Sequence, residues 1–514
     1  MEEPLSQDVT LHETAEQSLA HVTKQATGVM SYRFLGVLLG LASNVVFARL
    51  LGAELLGAYV LASTILLVAS LVASFGTVQT LVRYIPVRLS RGDVDGAAGV
   101  FTFGLRLVVS AGAGATVILL LLRGWLSHTV FDEPLLVGIL PIAALGILPA
   151  SLTQVLGGAL KALKETAKDA FCTEVVYKVA KLAIFLALYF AVDMRLRALV
   201  IGFAAAYVAS DLVMLRFIGR RTPSFLTGPR RDAVPQRELV QYSGTVFFVA
   251  FLNYAMSITD RFMLGILSTS EAVGIYNVAF IISNILTLVY MGFNISFAPV
   301  ISELYHNNRR DELASLYVSL TRTLIIIVVP AFIWLVGFGD DLLRIFGREF
   351  TVGQVALVVL GISAVARCAV GSVSNLLMMS GHQRFNVINI VISTAANILL
   401  NLYFIPKYGF LGAAIATAIS VAGISVVGLV QVKMLLGLSP YRRSYLKLVA
   451  ASAVTLPAVL YLRAHTPALP HWQFFSLLLA TYAVFLGVIV LLGVEPDDRV
   501  LAKRLLRKAG LKKR

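Results

Sequence analysis

The chain has 514 residues, 58% of them hydrophobic and only 14% charged, whereas a soluble globular chain carries about 25% charge. So much apolar surface has nothing to pack against in water, which excludes a water-soluble fold. The formal net charge of +15 sits mostly in short loops and in the tail Arg499–Arg514, a pattern of topology signals and anionic headgroup contact that argues against a nucleic-acid surface.

The segment 1–25 is polar and acidic, with Glu2, Glu3, Asp8, Glu13 and Glu16. It lacks the basic start and cleavage site of a signal peptide, so the first apolar helix is expected to act as the uncleaved membrane signal. About 20 apolar residues span the hydrocarbon of a bilayer. Such windows predict helices at 26–50, 58–82, 98–122, 135–158, 170–191 and 197–217, then at 240–267, 272–302, 315–337, 353–379, 385–405 and 410–434, and last at 445–462 and 473–493. The expected fold class is therefore all-α, a polytopic membrane protein of about 14 transmembrane helices. The expected organisation is a cytoplasmic segment 1–25, an N-lobe of six helices over 26–218, a cytoplasmic linker 219–239, a C-lobe of six helices over 240–435, two further helices within 436–494 and a basic cytoplasmic tail 495–514.

The direction of the helices follows from their loops. Counting Lys and Arg in each loop and the adjoining helix ends gives 28 on the N-terminal side and 8 on the other. The positive-inside rule then places both termini in the cytoplasm. No extramembrane stretch is long enough for a separate catalytic domain.

The chain also repeats itself. Ala48-Arg49-Leu50-Leu51-Gly52 … Gly57-Ala58-Tyr59 is echoed by Asp260-Arg261-Phe262-Met263-Leu264-Gly265 … Gly274-Ile275-Tyr276, and Leu188-Tyr189-Phe190 by Leu402-Tyr403-Phe404, all at nearly one offset. That offset spans six helices, which gives both copies the same orientation. This predicts two parallel six-helix lobes with a cavity between them, and the last two helices as an addition.

Ionisable residues in hydrocarbon are costly and normally face an interior or a wet cavity. Inside the predicted helices the cations are Arg33, Arg106, Lys178, Lys181, Arg261, Arg322 and Arg367, against the acids Glu174, Asp211 and Asp260. Glu174, Lys178 and Lys181 are spaced i, i+4, i+7 and share one face of the fifth helix, which reads as a cationic cavity wall or as a local Glu174–Lys178 pair. The eleventh helix carries Asn386, Asn389, Ser393, Asn397 and Asn401 on one stripe, which reads as a polar cavity wall or as interhelical glue. Asp260-Arg261 reads equally as a salt bridge or as a functional pair. Arg106, Asp211 and Arg322 lie toward cytoplasmic helix ends and read as anchors and packing groups. A cavity with this excess of cations attracts phosphate through charge-assisted hydrogen bonds.

Catalytic chemistry is not indicated. Cys172 and Cys368 read as small buried hydrophobes, and the seven histidines fall in loops or tails. There is no nucleotide-binding loop, nucleophile arrangement or acidic metal cluster, so neither an enzyme nor a cofactor or metal is expected.

The stretch Ser380-Gly381-His382-Gln383-Arg384 with Asn397-Ile398-Leu399-Leu400-Asn401-Leu402-Tyr403-Phe404-Ile405-Pro406-Lys407-Tyr408-Gly409-Phe410-Leu411-Gly412-Ala413-Ala414-Ile415-Ala416-Thr417 resembles polysaccharide flippases of the multidrug/oligosaccharidyl-lipid/polysaccharide exporter superfamily, as does the segment from Ala48 to Tyr59. The resemblance covers nearly the whole chain. It implies alternating access in a cell (inner) membrane and a polyprenyl-pyrophosphate-linked glycan as cargo, for surface polysaccharide or O-antigen biosynthesis beside glycosyltransferases and a polymerase. Arg33, Lys178, Lys181, Arg261 and Arg367 are then the candidate pyrophosphate contacts, and Glu174 and Asp260 the candidates for coupling to H+ or Na+. Asn389, Asn397 and Asn401 would form the polar cavity wall. Arg33 matches the cationic first helix of the lipid II flippase branch, but Tyr59–Val82 lacks that branch's acidic residue, which favours a surface-polysaccharide unit. Two rivals are a cation-coupled multidrug antiporter of the same superfamily, disfavoured by the sign of the cavity, and a membrane-embedded glycan transferase or ligase, disfavoured by the shortness of Val336–Val352.

Overall fold

The computed structural model describes residues 4–228, 234–465 and 471–493. The expected basic tail 495–514 lies outside the described residues, as do 229–233 of the expected linker. All regular elements among the described residues are helical. In chain order they are α1 (Pro4–Ser74), α2 (Thr77–Ser90), α3 (Val94–Trp125), α4 (Pro134–Leu145), α5 (Ile147–Ala162), α6 (Thr166–Ala170), a π-helical segment Phe171–Val176, α7 (Tyr177–Val192), α8 (Arg195–Arg221) and the short α9 (Ser224–Thr227). There follow α10 (Gln236–Leu267), α11 (Ser270–His306), α12 (Arg310–Phe346), a 3₁₀ turn Arg348–Gly353, α13 (Gln354–Ala369), α14 (Val373–Met379), α15 (Gln383–Tyr408), α16 (Phe410–Leu436), α17 (Tyr445–His465) and α18 (His471–Leu491).

α1 runs through the first predicted span into the second. As a straight rod it would measure about 100 Å, several bilayers' worth of hydrocarbon. Gly52 breaks it, at φ 79° and ψ 176°, a conformation that a Cβ would make costly. The second span then bends again at Phe75 (φ 41°) and Gly76 (φ 71°) before continuing as α2. Caps elsewhere follow from sequence. Asp93 accepts from the Gly96 amide at 2.8 Å to start α3, and Thr269 accepts from Ala272 at 3.2 Å to start α11, each satisfying an orphan donor.

Among the described residues eleven helices are long and apolar enough to cross a membrane, or twelve if the bent pair Gln236–Leu252 and Ser257–Leu267 counts as one span. That is fewer than the expected fourteen. The run Thr27–Ser90 counts once although Gly52 divides it, and the last apolar helix, Ser476–Leu491, is short of the length required.

The internal repeat recurs in the backbone. Left-handed turn residues pair as Gly92 with Asn308, Lys164 with Gly381, and Asp193 with Gly409, at almost identical spacings that match the offset of the sequence echo. These are the turns after the second, fourth and fifth spans of each copy, so the two copies turn at matching points as well as echoing one another weakly in sequence; at the fifth span the backbones differ, with ψ 33° at Asp193 and −131° at Gly409.

Residues cluster into two compact units, Met1–Ala255 and Met256–Arg514. In the first, α2, α3, α5 and α8 close on a core that includes Leu81, Phe101, Leu156 and Met214. The opening half of α10 lies against α2. Thr80 and Ser243 hydroxyls meet at 2.6 Å, Tyr84 donates to Glu238 at 2.8 Å, and a Cβ on Gly76 would run into the Ser243 carbonyl. In the second unit, Tyr317, Leu376, Leu377 and Val432 anchor a core shared by α12, α14 and α16. α17 and α18 stand against α12, where Val459 meets Trp334 and Phe338 and Arg463 donates to Asp341 at 2.8 Å.

Candidate functional site

In each unit the helices bring expected site residues together in a polar centre, one around lysines and the other around an aspartate. In the first unit Glu174 sits in the π-helical segment and Lys178 one turn further on, in α7. Wide turns of this kind are frequent at functional sites because they re-aim side chains. Lys178 Nζ donates to Glu174 at 2.6 Å and to the Gly36 carbonyl of α1 at 2.8 Å. α1 comes this close because Gly36 has no side chain: a Cβ there would overlap a Glu174 carboxylate oxygen. The i, i+4 pair thus forms, and both of its members line a cavity of about 320 Å³ with Thr153, Gln154, Tyr177 and Tyr207.

Lys181 does not share that pairing. Its ammonium lies over three rings, 4.7 Å from the centroid of Phe47, 4.8 Å from Tyr59 and 5.5 Å from Phe203. The negative ring faces hold the cation in place of a carboxylate. Arg33 is exposed on α1 and makes no hydrogen bond or ion pair among the described residues. Asp211, expected as a packing group, accepts from Thr153 at 2.5 Å.

In the second unit the centre is Asp260. One carboxylate oxygen accepts from the side-chain amides of Asn397 at 3.0 Å and Asn401 at 2.9 Å; the other accepts from Thr417 at 2.6 Å and Tyr276 at 2.8 Å. Four neutral donors from α11, α15 and α16 therefore surround one buried carboxylate of α10. The adjacent Arg261 sets its guanidinium 4.7 Å over the Phe280 ring. Asn389 lies further along the α15 stripe and exchanges two amide hydrogen bonds with Gln431, at 2.7 and 3.0 Å. Asn389, Asn397 and Asn401 are all buried. Arg367 is half-buried in α13 with no hydrogen bond or ion pair among the described residues, and Arg322 is buried and donates to the Ser444 carbonyl at 3.1 Å.

Several participants leave no signal in sequence. Phe47, Tyr59 and Phe203 are ordinary apolar residues far apart in the chain, and Tyr276, Thr417 and Gln431 carry no charge to mark them. The repeat is the one clue. Tyr59 with Tyr276, and Lys181 with Asn397, stand at the same spacing as the paired turns. Lys181 thus corresponds to Asn397, and Tyr59 of its cage to Tyr276, two of the donors that cradle Asp260.

A family profile described as "Polysaccharide biosynthesis protein" matches residues 22–305, and a second, "MatE", matches residues 246–403. Two curated proteins of Haloferax volcanii are similar to part of the chain. One, named "Probable low-salt glycan biosynthesis flippase Agl15", is 27% identical over 187 residues, 36% of this chain and 40% of that protein. The other, named "Probable flippase AglR", is 29% identical over 208 residues, 38% and 41% of the two. The chain therefore aligns with about two fifths of the length of each curated relative. Among solved structures, one described as the lipid II flippase MurJ in an inward closed conformation superposes with a TM-score of 0.66 at 14% identity, covering 94% of this chain and 100% of that one; at that identity the likeness is one of fold.

Proposed function

We propose, from the premise that the chain belongs to the polysaccharide biosynthesis protein family, that it is a flippase which moves lipid-pyrophosphate-linked oligosaccharide units from the cytoplasmic to the outer leaflet by alternating access. Its place would be the cell membrane, with both termini cytoplasmic. The observation that carries this reading is the first unit's intramembrane cations. Lys178 lines a cavity large enough for a pyrophosphate, and Arg33 has no counter-charge among the described residues. A doubly charged phosphate group is the ligand that repays keeping such cations in a low-dielectric setting.

The proposed roles differ by residue. Lys178 and Arg33 contact the pyrophosphate, Arg367 and Arg261 are the second unit's candidate contacts, and Lys181 sets the potential from within its cage. Glu174 is held by Lys178, which leaves Asp260 as the better placed acid for a coupling H+ or Na+: its hydrogen bonds come from neutral donors. The name given to one of the Haloferax relatives supports a glycan cargo.

The test is lipid-linked oligosaccharide flipping in vesicles reconstituted with Lys178→Gln, Arg33→Gln and Arg367→Gln variants. Loss of one charge-assisted contact corresponds to about a tenfold lower rate. Unchanged flipping in all three would reject the assigned site. Lost drug tolerance on deletion, with no glycan defect, would favour the multidrug antiporter instead.

A further inference from the structure

α3 carries a feature that neither polar centre uses. Thr102, Arg106 and Ser110 recur at i, i+4, i+8 and so form one stripe. With Gly99, Phe103, Leu107 and Gln236 of α10 they line an open groove of about 540 Å³. Arg106 is exposed and makes no hydrogen bond, ion pair or ring contact among the described residues. Further along the same helix face the exposed residues turn apolar, with Val117 and Leu121 at 55% and 77% exposure. Only 17% of the most apolar window of Val94–Val130 is buried, which leaves this face of α3 unpacked within its unit and apolar enough for acyl chains to cover.

Depth decides what meets the guanidinium. α3 has 32 residues, about 48 Å of helix against about 30 Å of hydrocarbon. Arg106 lies twelve residues from its N-terminal start, about 18 Å along the axis and so, with the helix centred in the bilayer, roughly 9 Å below the hydrocarbon boundary. An arginine reaches back toward the interface from there, along a groove with polar Thr102 on its path and the amide of Gln236 on its wall. Arg237 follows at the root of α10, also exposed and without an ion-pair partner among the described residues. A lone cation at this level, open sideways to lipid, fits a phosphate that arrives on a lipid. A soluble anion would have to cross the headgroup layer to reach it.

We propose that the Thr102–Arg106–Ser110 groove is a binding site for the phosphate of an anionic phospholipid, separate from the cargo site and independent of the reading given for it. Arg106 holds the phosphodiester by charge-assisted hydrogen bonds, Gln236 and Ser110 supply neutral polar contacts, and the acyl chains lie along the Val117–Leu121 face.

Native mass spectrometry of the delipidated full-length protein, titrated with phosphatidylglycerol or phosphatidylcholine, tests this. The wild type should bind its first phosphatidylglycerol about tenfold more tightly than phosphatidylcholine, whose phosphodiester is the same but whose choline cation offsets its charge beside Arg106. Arg106→Gln should abolish that preference, and Ser110→Leu, which fills the groove from its edge, should weaken it while leaving the charge in place. Retention of the preference in Arg106→Gln, or its absence in the wild type, would overturn the proposal. So would competition by glycerol phosphate at the lipid's own concentration, which would mark a free-anion site. Should Arg106→Gln not fold, Arg106→Lys serves: a point charge without the planar fork should retain a preference for phosphatidylglycerol, but a weaker one than wild type, and an undiminished preference would count against the site.

Discussion

Lys181 and Asp260 are both charged groups deep in apolar helices, and the structure satisfies them by different means. A ring face on a desolvated ammonium is worth about 2 kcal/mol or more, and a lysine at mid-bilayer costs about 2.5–3.5 kcal/mol. With three faces the two effects come close to cancelling, so Lys181→Met should leave thermal stability nearly unchanged while lowering flipping. A fall in Tm would show that the cage needs its cation for folding. Asp260 poses the opposite problem, because removing its oxygens strands donors. Asp260→Ala removes the acceptor shared by two amides and two hydroxyls, leaving only the contacts of Asn401 with Asn397 and of Tyr276 with Thr417, and should cost about 3 kcal/mol of stability. Asp260→Asn keeps an acceptor oxygen and should fold, but its flipping should no longer respond to an imposed H+ or Na+ gradient; a preserved response would remove Asp260 from coupling. At Gly36 the margin is geometric. A methyl group there overlaps a Glu174 oxygen and must push the carboxylate aside. Gly36→Ala should therefore lower flipping as Lys178→Gln does, and wild-type flipping would show that the Glu174–Lys178 pair tolerates displacement.

Among the helices, the breaks matter as much as the spans. Gly52 occupies a conformation that costs any other residue about 1–3 kcal/mol, so Gly52→Ala should lower Tm measurably, and an unchanged Tm would mean that the hairpin relaxes freely. How much of this was legible follows from the kind of signal each element leaves. Long apolar windows announce a span by composition, so α7, α15 and α16 stand close to where the hydropathy put them. The i, i+4 pair of Glu174 and Lys178 was legible because a single helical run contains it. The Asn397–Asn401 stripe was visible as a stripe, but not its partner, since Asp260 comes from α10, five helices earlier in the chain. Local periodicity carries no record of which helix lies opposite. The cage around Lys181 was invisible for the same reason: in an apolar chain, Phe47, Tyr59 and Phe203 look like any other lipid-facing rings. Breaks inside spans, at Gly76 and Gly146, escaped notice because the apolar run continues across them.

Across the molecule, orientation gives a direct test. The free thiols Cys172 and Cys368 are buried, so a membrane-impermeant maleimide should report only on introduced cysteines. Asn308→Cys, in a turn on the basic side, should label only after the membrane is opened, and Asp193→Cys, in a turn on the other side, should label in intact cells. The reverse pattern would invert the proposed topology. The repeat has a consequence of its own for the transport cycle. At matching points of the two copies, one half carries its positive charge at the end of a lysine side chain, bonded to the backbone and unable to leave. The other half has an asparagine at that position, which donates to the separate acid Asp260; in the proposed cycle an ion from the surrounding solution compensates that acid and leaves again. On the proposed coupling, one round of transport therefore exchanges a single ion, and a gradient of twice the size should move the flipping equilibrium as one elementary charge would.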